Sequence, residues 1–125
     1  MKLASILTAA LVAVASPAAF AHAEHGQPQY GGIYGEAGNF QAELVIKDTQ
    51  ATIYLSNHGD PVSAKGATGK LTILGADGKS EVELKPTADN QLVATLKTKP
   101  VKGDKVMATI TLPGKKPANV RYAIE

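Results

Sequence analysis

The sequence predicts an all-β domain, an immunoglobulin-like antiparallel β-sandwich of about seven strands, preceded by a cleaved signal peptide and a flexible glycine-rich arm. Three observations carry this expectation. Apolar residues beyond position 40 recur with period two, as they do along strands that bury one face. The gaps between these runs hold Gly, Pro, Asp and Asn in turn-forming combinations. The first two dozen or so residues have the build of an export signal.

In that first segment Met1 and Lys2 bring positive charge, Leu3 to Val14 is apolar apart from Ser5 and Thr8, and small residues follow at Ser16-Pro17-Ala18. The run is too short and alanine-rich for a stable membrane span, so no stable membrane insertion is expected. Two cleavage points satisfy the small-x-small rule: after Ala21, which makes His22 the first residue, and after Ala23, which makes it Glu24. The chain has no cysteine, which excludes a lipid anchor, a disulfide and thiol chemistry. A soluble protein exported to the periplasm is the expectation. Its organisation then reads as signal peptide 1–21, arm 22–39 and sandwich domain 40–125.

The full chain has 13 Lys and Arg against 11 Asp and Glu, a formal net charge of +2. Its signal accounts for Lys2, so the remainder is close to neutral, which argues against nucleic acid or an anionic membrane as partner.

From His22 to Asn39 the chain is polar, with Gly26, Gly31, Gly32, Gly35 and Gly38 and no apolar periodicity, the composition of a flexible arm. The strands follow in order: Phe40, Ala42, Leu44 and Ile46; Ala51, Ile53 and Leu55; Leu71 and Ile73; Val82 and Leu84. Three more are marked by Leu92, Ala94 and Leu96, by Val106, Ala108, Ile110 and Leu112, and by Val120, Tyr122 and Ile124. Apolar residues must face one another across a pair. The turn at Lys47 to Gln50 therefore sets Ile46 against Ala51, Leu44 against Ile53 and Ala42 against Leu55. The same logic around Asp77-Gly78 sets Leu71 against Leu84 and Ile73 against Val82. Gly66-Ala67-Thr68-Gly69-Lys70 reads as a turn; it lacks the spacing and the following helix of a phosphate loop.

Candidate chemistry rests on the three histidines, His22, His25 and His58. Imidazole suits borderline divalent metals such as Cu(II), Zn(II), Ni(II) and Co(II), and the thiolates that select Cu(I) are missing. Cleavage before His22 puts an α-amine and an imidazole on one residue, a bidentate chelate open to donors from Glu24, His25, His58 or Asp60. Cleavage before Glu24 leaves the amine, an intervening amide and His25. The first pairing above brings His58, in the turn Ser56-Asn57-His58-Gly59-Asp60-Pro61, opposite the entry of the arm, and Asp60 is close enough in sequence to act as a ligand or to accept the imidazole N–H. Tyr30 and Tyr34 are placed to dock the arm through their rings. Met107 falls out of phase with the core and faces outward with Lys105 and Thr109. No enzyme is expected, because the chain has no cysteine nucleophile, no nucleophile elbow and no paired carboxylates in a cleft.

The run Gly31 to Gly38, the strand Glu43 to Asp48, the stretch Ile53 to Val62 and Gly66 to Lys70 resemble a group of small, uncharacterised periplasmic proteins encoded near heavy-metal efflux systems. More broadly, the chain is similar to periplasmic copper-resistance carriers, β-sandwiches that hold copper on an N-terminal histidine. The resemblance runs from about His22 to Glu125, and only His22, His25 and His58 match candidate ligand positions. It implies a periplasmic accessory protein for copper or another divalent heavy metal, with an efflux-system or other envelope protein as partner. This chain departs in carrying the sparse His22-Ala23-Glu24-His25 in place of a long histidine run, which argues against high-capacity buffering. The alternative from the residues alone is a non-metal β-sandwich module that binds an envelope or efflux-system protein by strand addition.

Overall fold

Each of the seven period-two runs becomes a strand in the computed structural model, which describes residues 26–125. Two further strands appear. In chain order they are β1 (Ile33–Glu36), β2 (Gln41–Lys47), β3 (Gln50–Asn57), β4 (Asp60–Pro61), β5 (Thr68–Gly75), β6 (Gly78–Ala88), β7 (Gln91–Thr95), β8 (Lys105–Thr111) and β9 (Ala118–Ala123). The described residues contain no helix. Every pairing is antiparallel.

The hydrogen-bonded order is β1-β2-β3-β7-β6-β5-β8-β9, with β4 added beside β3. Because β1 returns to lie against β9, the sheet is nearly closed as a barrel. This corrects the seven-strand immunoglobulin-like sandwich in two respects. An immunoglobulin-like sandwich keeps two sheets with separate edges, whereas β6 here bonds β5 through Gly78 to Leu84 and β7 through Lys85 to Ala88. A register shift between Pro86 and Ala88 accompanies that change of partner; bulges and strand prolines are common where a sheet bends. The second correction is β1, which lies within the stretch expected to be a flexible arm. Its glycines hide the alternation, and its pairing with β2 supplies the order.

The β2–β3 register agrees with the sequence: Ile46 faces Ala51, Leu44 faces Ile53 and Ala42 faces Leu55. The β5–β6 register is shifted by two residues, with Leu71 facing Val82 and Ile73 facing Ser80. Its loop is Ala76-Asp77, closed by Gly75 opposite Gly78, and Gly78 takes a φ of 116°. A slip of two keeps each side chain on its own face, so the hydrophobic pattern alone could not choose between the two registers. Thr68, Gly69 and Lys70, expected in a turn, open β5.

Inward residues fill the barrel. Leu44, Ile53, Leu55, Leu71, Leu84, Leu92, Ile110 and Val120 are its largest fully buried side chains, and Ala42, Ala51, Ala94 and Ala108 fit between them. The alternation of large and small residues packs a narrow barrel solid, as in other small closed sheets. At one end Asn90 ties the β6–β7 turn to β3, donating from Nδ2 to Leu55 O at 3.1 Å while its own carbonyl accepts Leu55 N–H at 2.8 Å. Met107 is half-buried between the buried Val106 and Ala108, on the outward face that its phase predicts.

Candidate functional site

Alternation along β2 turns Ala42 and Leu44 into the core and presents Gln41 and Glu43 on the outer face. Register then places Tyr34 of β1, Glu43 of β2, Tyr54 of β3 and Gln91 of β7 in one row across that face. A carboxylate at such a position is ordinarily solvated. Glu43 is instead buried, because the chain preceding β1 crosses over it.

The covering segment is Gln29 to Gly32. The Glu43 carboxylate accepts the backbone N–H of Gln29, and those of Tyr30 and Gly32 at 2.8 Å each. A carboxylate offers about four acceptor sites, so three of them are committed to the arm. Charge-assisted bonds of this kind are stronger than neutral ones and offset the burial of the charge. Next to them the Tyr30 ring stacks on Tyr54, centroids 3.8 Å apart and planes 9° from parallel. Gly32 lies so close to β2 that a Cβ there would meet Leu44 O at 2.2 Å. Of the two tyrosines expected to dock the arm through their rings, Tyr30 stacks on Tyr54 and Tyr34 stands on β1 itself, while a glutamate that alternation marks as solvent-facing holds the backbone.

Tyr34 lies against the start of the described chain. Its ring lies 3.8 Å from where a Cβ on Gly26 would stand. Burial pushes the Tyr34 hydroxyl above its usual pKa, the Glu36 carboxylate adds to the rise, and the Gly26 backbone opposes it.

His58 stands in a two-residue turn between Asn57 and Asp60, which pair across β3 and β4. His58 and Gly59 have φ of 52° and 89°, the left-handed values at both central positions that a tight type I′ hairpin requires. The His58 N–H donates to Gln41 Oε1 at 2.8 Å. A side chain on Gly59 would come within 3.9 Å of Gln29 Nε2, so the turn and the arm lie side by side. Between them is a hollow of about 20 Å³ whose lining includes Gly26, Gln29, Tyr34, Gln41, Glu43 and Gly59. That is room for about one water molecule.

No family model, curated protein or solved structure matches the chain.

Of the residues the sequence singles out as metal ligands, His58 and Asp60 are exposed at the β3–β4 turn. His22, Glu24 and His25 lie outside the described residues, as does the signal segment. Among the described residues no three His, Asp or Glu side chains form a group able to hold a metal ion. The described end of the arm and the histidine turn do share one hollow, and two residues of β2 hold them there. Sequence reasoning missed Gln41 and Glu43. The only signal for Glu43 is its position opposite Tyr54 in a pairing that was itself legible.

Proposed function

We propose that the protein is a periplasmic metal-binding accessory protein, which takes up a divalent ion, copper(II) foremost, and hands it on in metal homeostasis or efflux. The ion is cargo. Its donors are His22 and His25 on the arm, with Glu24 as a further carboxylate, and His58 with Asp60 on the β3–β4 turn. In this reading export by the N-terminal signal exposes the arm in the periplasm, and an α-amine at residue 22 or 24 joins the ligand set. The observation that carries the reading is the shared hollow of Gly26 and Gly59. Gly26 is the first described residue of the arm, and Gly59 follows His58 in the turn.

Imidazole and amine donors favour Cu(II) over the other first-row divalent ions by the usual order of stabilities. Native mass spectrometry of periplasmic protein, before and after Cu(II), Zn(II), Ni(II) or Co(II), tests the proposal. One tightly held ion is expected, lost when His22 and His25 are both changed to Ala. Equal retention in that double variant overturns the reading.

A second reading has its own observation. The sheet path ends at β1 and β9, which lie together without a hydrogen-bonded ladder. Such strands can accept an added strand, as a non-metal module binding an envelope or efflux-system protein would. A partner captured at full strength in the presence of a chelator favours this reading over the first.

A further inference from the structure

We infer that the end of the β1–β9 seam beside Ile46 is a slot for an extended segment of another protein that carries a branched aliphatic side chain; this rests on the strand-addition reading above and says where the strand goes. The slot exists because β1 is short. Its first residue, Ile33, faces Leu44, so Val45, Ile46 and Lys47 of β2 have a ladder partner on β3 alone. The chain before Ile33 does not run on along β2. It turns off at Gly31, with φ of 77°, and crosses the outer face, where Glu43 takes the amides of Gln29, Tyr30 and Gly32.

Backbone groups alternate sides along a strand. The Leu55 N–H bonds Asn90 O on the β7 side, so Thr52 and Tyr54 of β3 turn theirs toward their partners on β2, Val45 and Glu43. The N–H and C=O of Ala42, Leu44 and Ile46 therefore point the other way, toward β1. In keeping with this, a Cβ on Gly32 would meet Leu44 O at 2.2 Å. Among the described residues no strand stands opposite Ile46 on that side. The far wall has a matching edge. Ile124 bonds the Asp104 carbonyl and the Gly103 N–H on the β8 side, which turns the backbone of Ala123 toward the slot. Both walls run in the same direction, because six antiparallel steps separate β2 from β9. A segment laid between them in the direction of β1 is antiparallel to each.

Side chains define what the segment carries. Ile33, Ile46 and Ile124 pack against the core yet stay partly exposed. With Leu44 and Pro100 they line a hollow of about 310 Å³, at the small end of ligand pockets, which start near roughly 300 Å³. Residues opposed in an antiparallel pair put their side chains on one face, so the residue that bonds Ile46 sends its side chain into this hollow. Valine or isoleucine suits the position, being aliphatic and strand-forming. Its two neighbours face outward and can be polar. Lys99 and Glu125 at the rim have opposite charges, so the slot selects by backbone and apolar shape and not by net charge.

The test uses the blocked peptide acetyl-Thr-Thr-Val-Thr-Thr-amide and amide NMR of the isotope-labelled protein. Titration is expected to shift the Ile46 and Ala123 amides and to slow hydrogen exchange at Ile46. The same peptide with N-methylvaline keeps the side chain and loses the N–H that Ile46 O accepts, while one with aspartate for valine keeps the N–H and loses the aliphatic group. Each should bind about tenfold more weakly. Ile46→Asp should weaken the valine peptide to the same degree, with Ile124→Asp in its place if melting curves show the first variant unfolded. Equal binding of the N-methyl peptide marks an apolar hollow without strand pairing and overturns the slot. Shifts confined to Tyr34, Glu36 and Arg121, farther along the seam, overturn it too and leave the strand-addition reading standing. A peptide that moves no amide also overturns the slot, and the strand-addition reading then stands or falls on partner capture in chelator.

Discussion

The ring of Tyr122 covers Gly35 so closely that a Cβ on Gly35 would lie 2.6 Å from the ring and 2.4 Å from Val120 Cγ1. Gly35 is on β1 and Tyr122 on β9, the two strands that meet without a ladder. Over that seam Tyr122 reaches past β1 and donates its hydroxyl to Ala42 O of β2 at 3.0 Å. Side-chain packing thus closes the barrel where backbone pairing does not. Gly35→Ala should overpack the seam and cost about 1–3 kcal/mol, read as a lower denaturant midpoint with an unchanged slope. An unchanged midpoint would show that the seam opens freely to admit the methyl group.

Removing only the hydroxyl separates the ring from its bond. Tyr122→Phe should cost about 1 kcal/mol, the usual net value of a buried hydrogen bond, while the ring continues to cover Gly35.

Tyr122 also makes the fold sensitive to alkali. Burial raises its hydroxyl well above the ordinary value of 10.0, and the nearby Glu43 carboxylate raises it further. A group whose folded pKa is raised contributes stability that is complete below the unfolded pKa and is lost as pH climbs through the folded one. Stability should therefore fall above pH 10 as the unfolded state releases its proton first. The fall should be shallower in Tyr122→Phe, as measured by urea midpoints from pH 8 to 12; parallel curves would contradict this origin.

His58 is constrained by its backbone as well as by any ligand role. With φ at 52° it occupies the left-handed region, where a residue with a Cβ pays about 1–2 kcal/mol and Asn is among the better tolerated. His58→Asn should keep the melting temperature of the wild type, and His58→Ala should lower it. Equal losses would mean that the imidazole itself holds the turn.

The exposed ion pairs should be silent. Glu81 contacts Lys70 and Lys79 at 3.5 Å each, and the Lys70 charge, foremost, lowers its pKa. All three side chains are well exposed, and such pairs contribute little. Glu81→Gln is expected to leave the melting temperature unchanged, and a clear drop would point to cooperation with the β5–β6 register.

Strand content was readable because alternation is a local signal: residues two apart report one face regardless of what lies beyond. The same signal placed Leu44 opposite Ile53 and left the β5–β6 pairing ambiguous by two, since a two-residue slip preserves every face. It failed at Ile33–Glu36, where Gly35 interrupts it, and that glycine is needed because Tyr122, 87 positions later, occupies the space.

By itself, then, the sequence determined an all-β chain, which residues face its core, the first hairpin's register and the identities of the histidines. Only the tertiary structure decided that the strands join in one nearly closed sheet, that the glycine-rich stretch contributes β1, and that Glu43 and Gln41 hold the arm and the His58 turn together. Alternation tells which way a side chain points, whereas what covers it depends on contacts between segments far apart in the chain, and no local pattern encodes those.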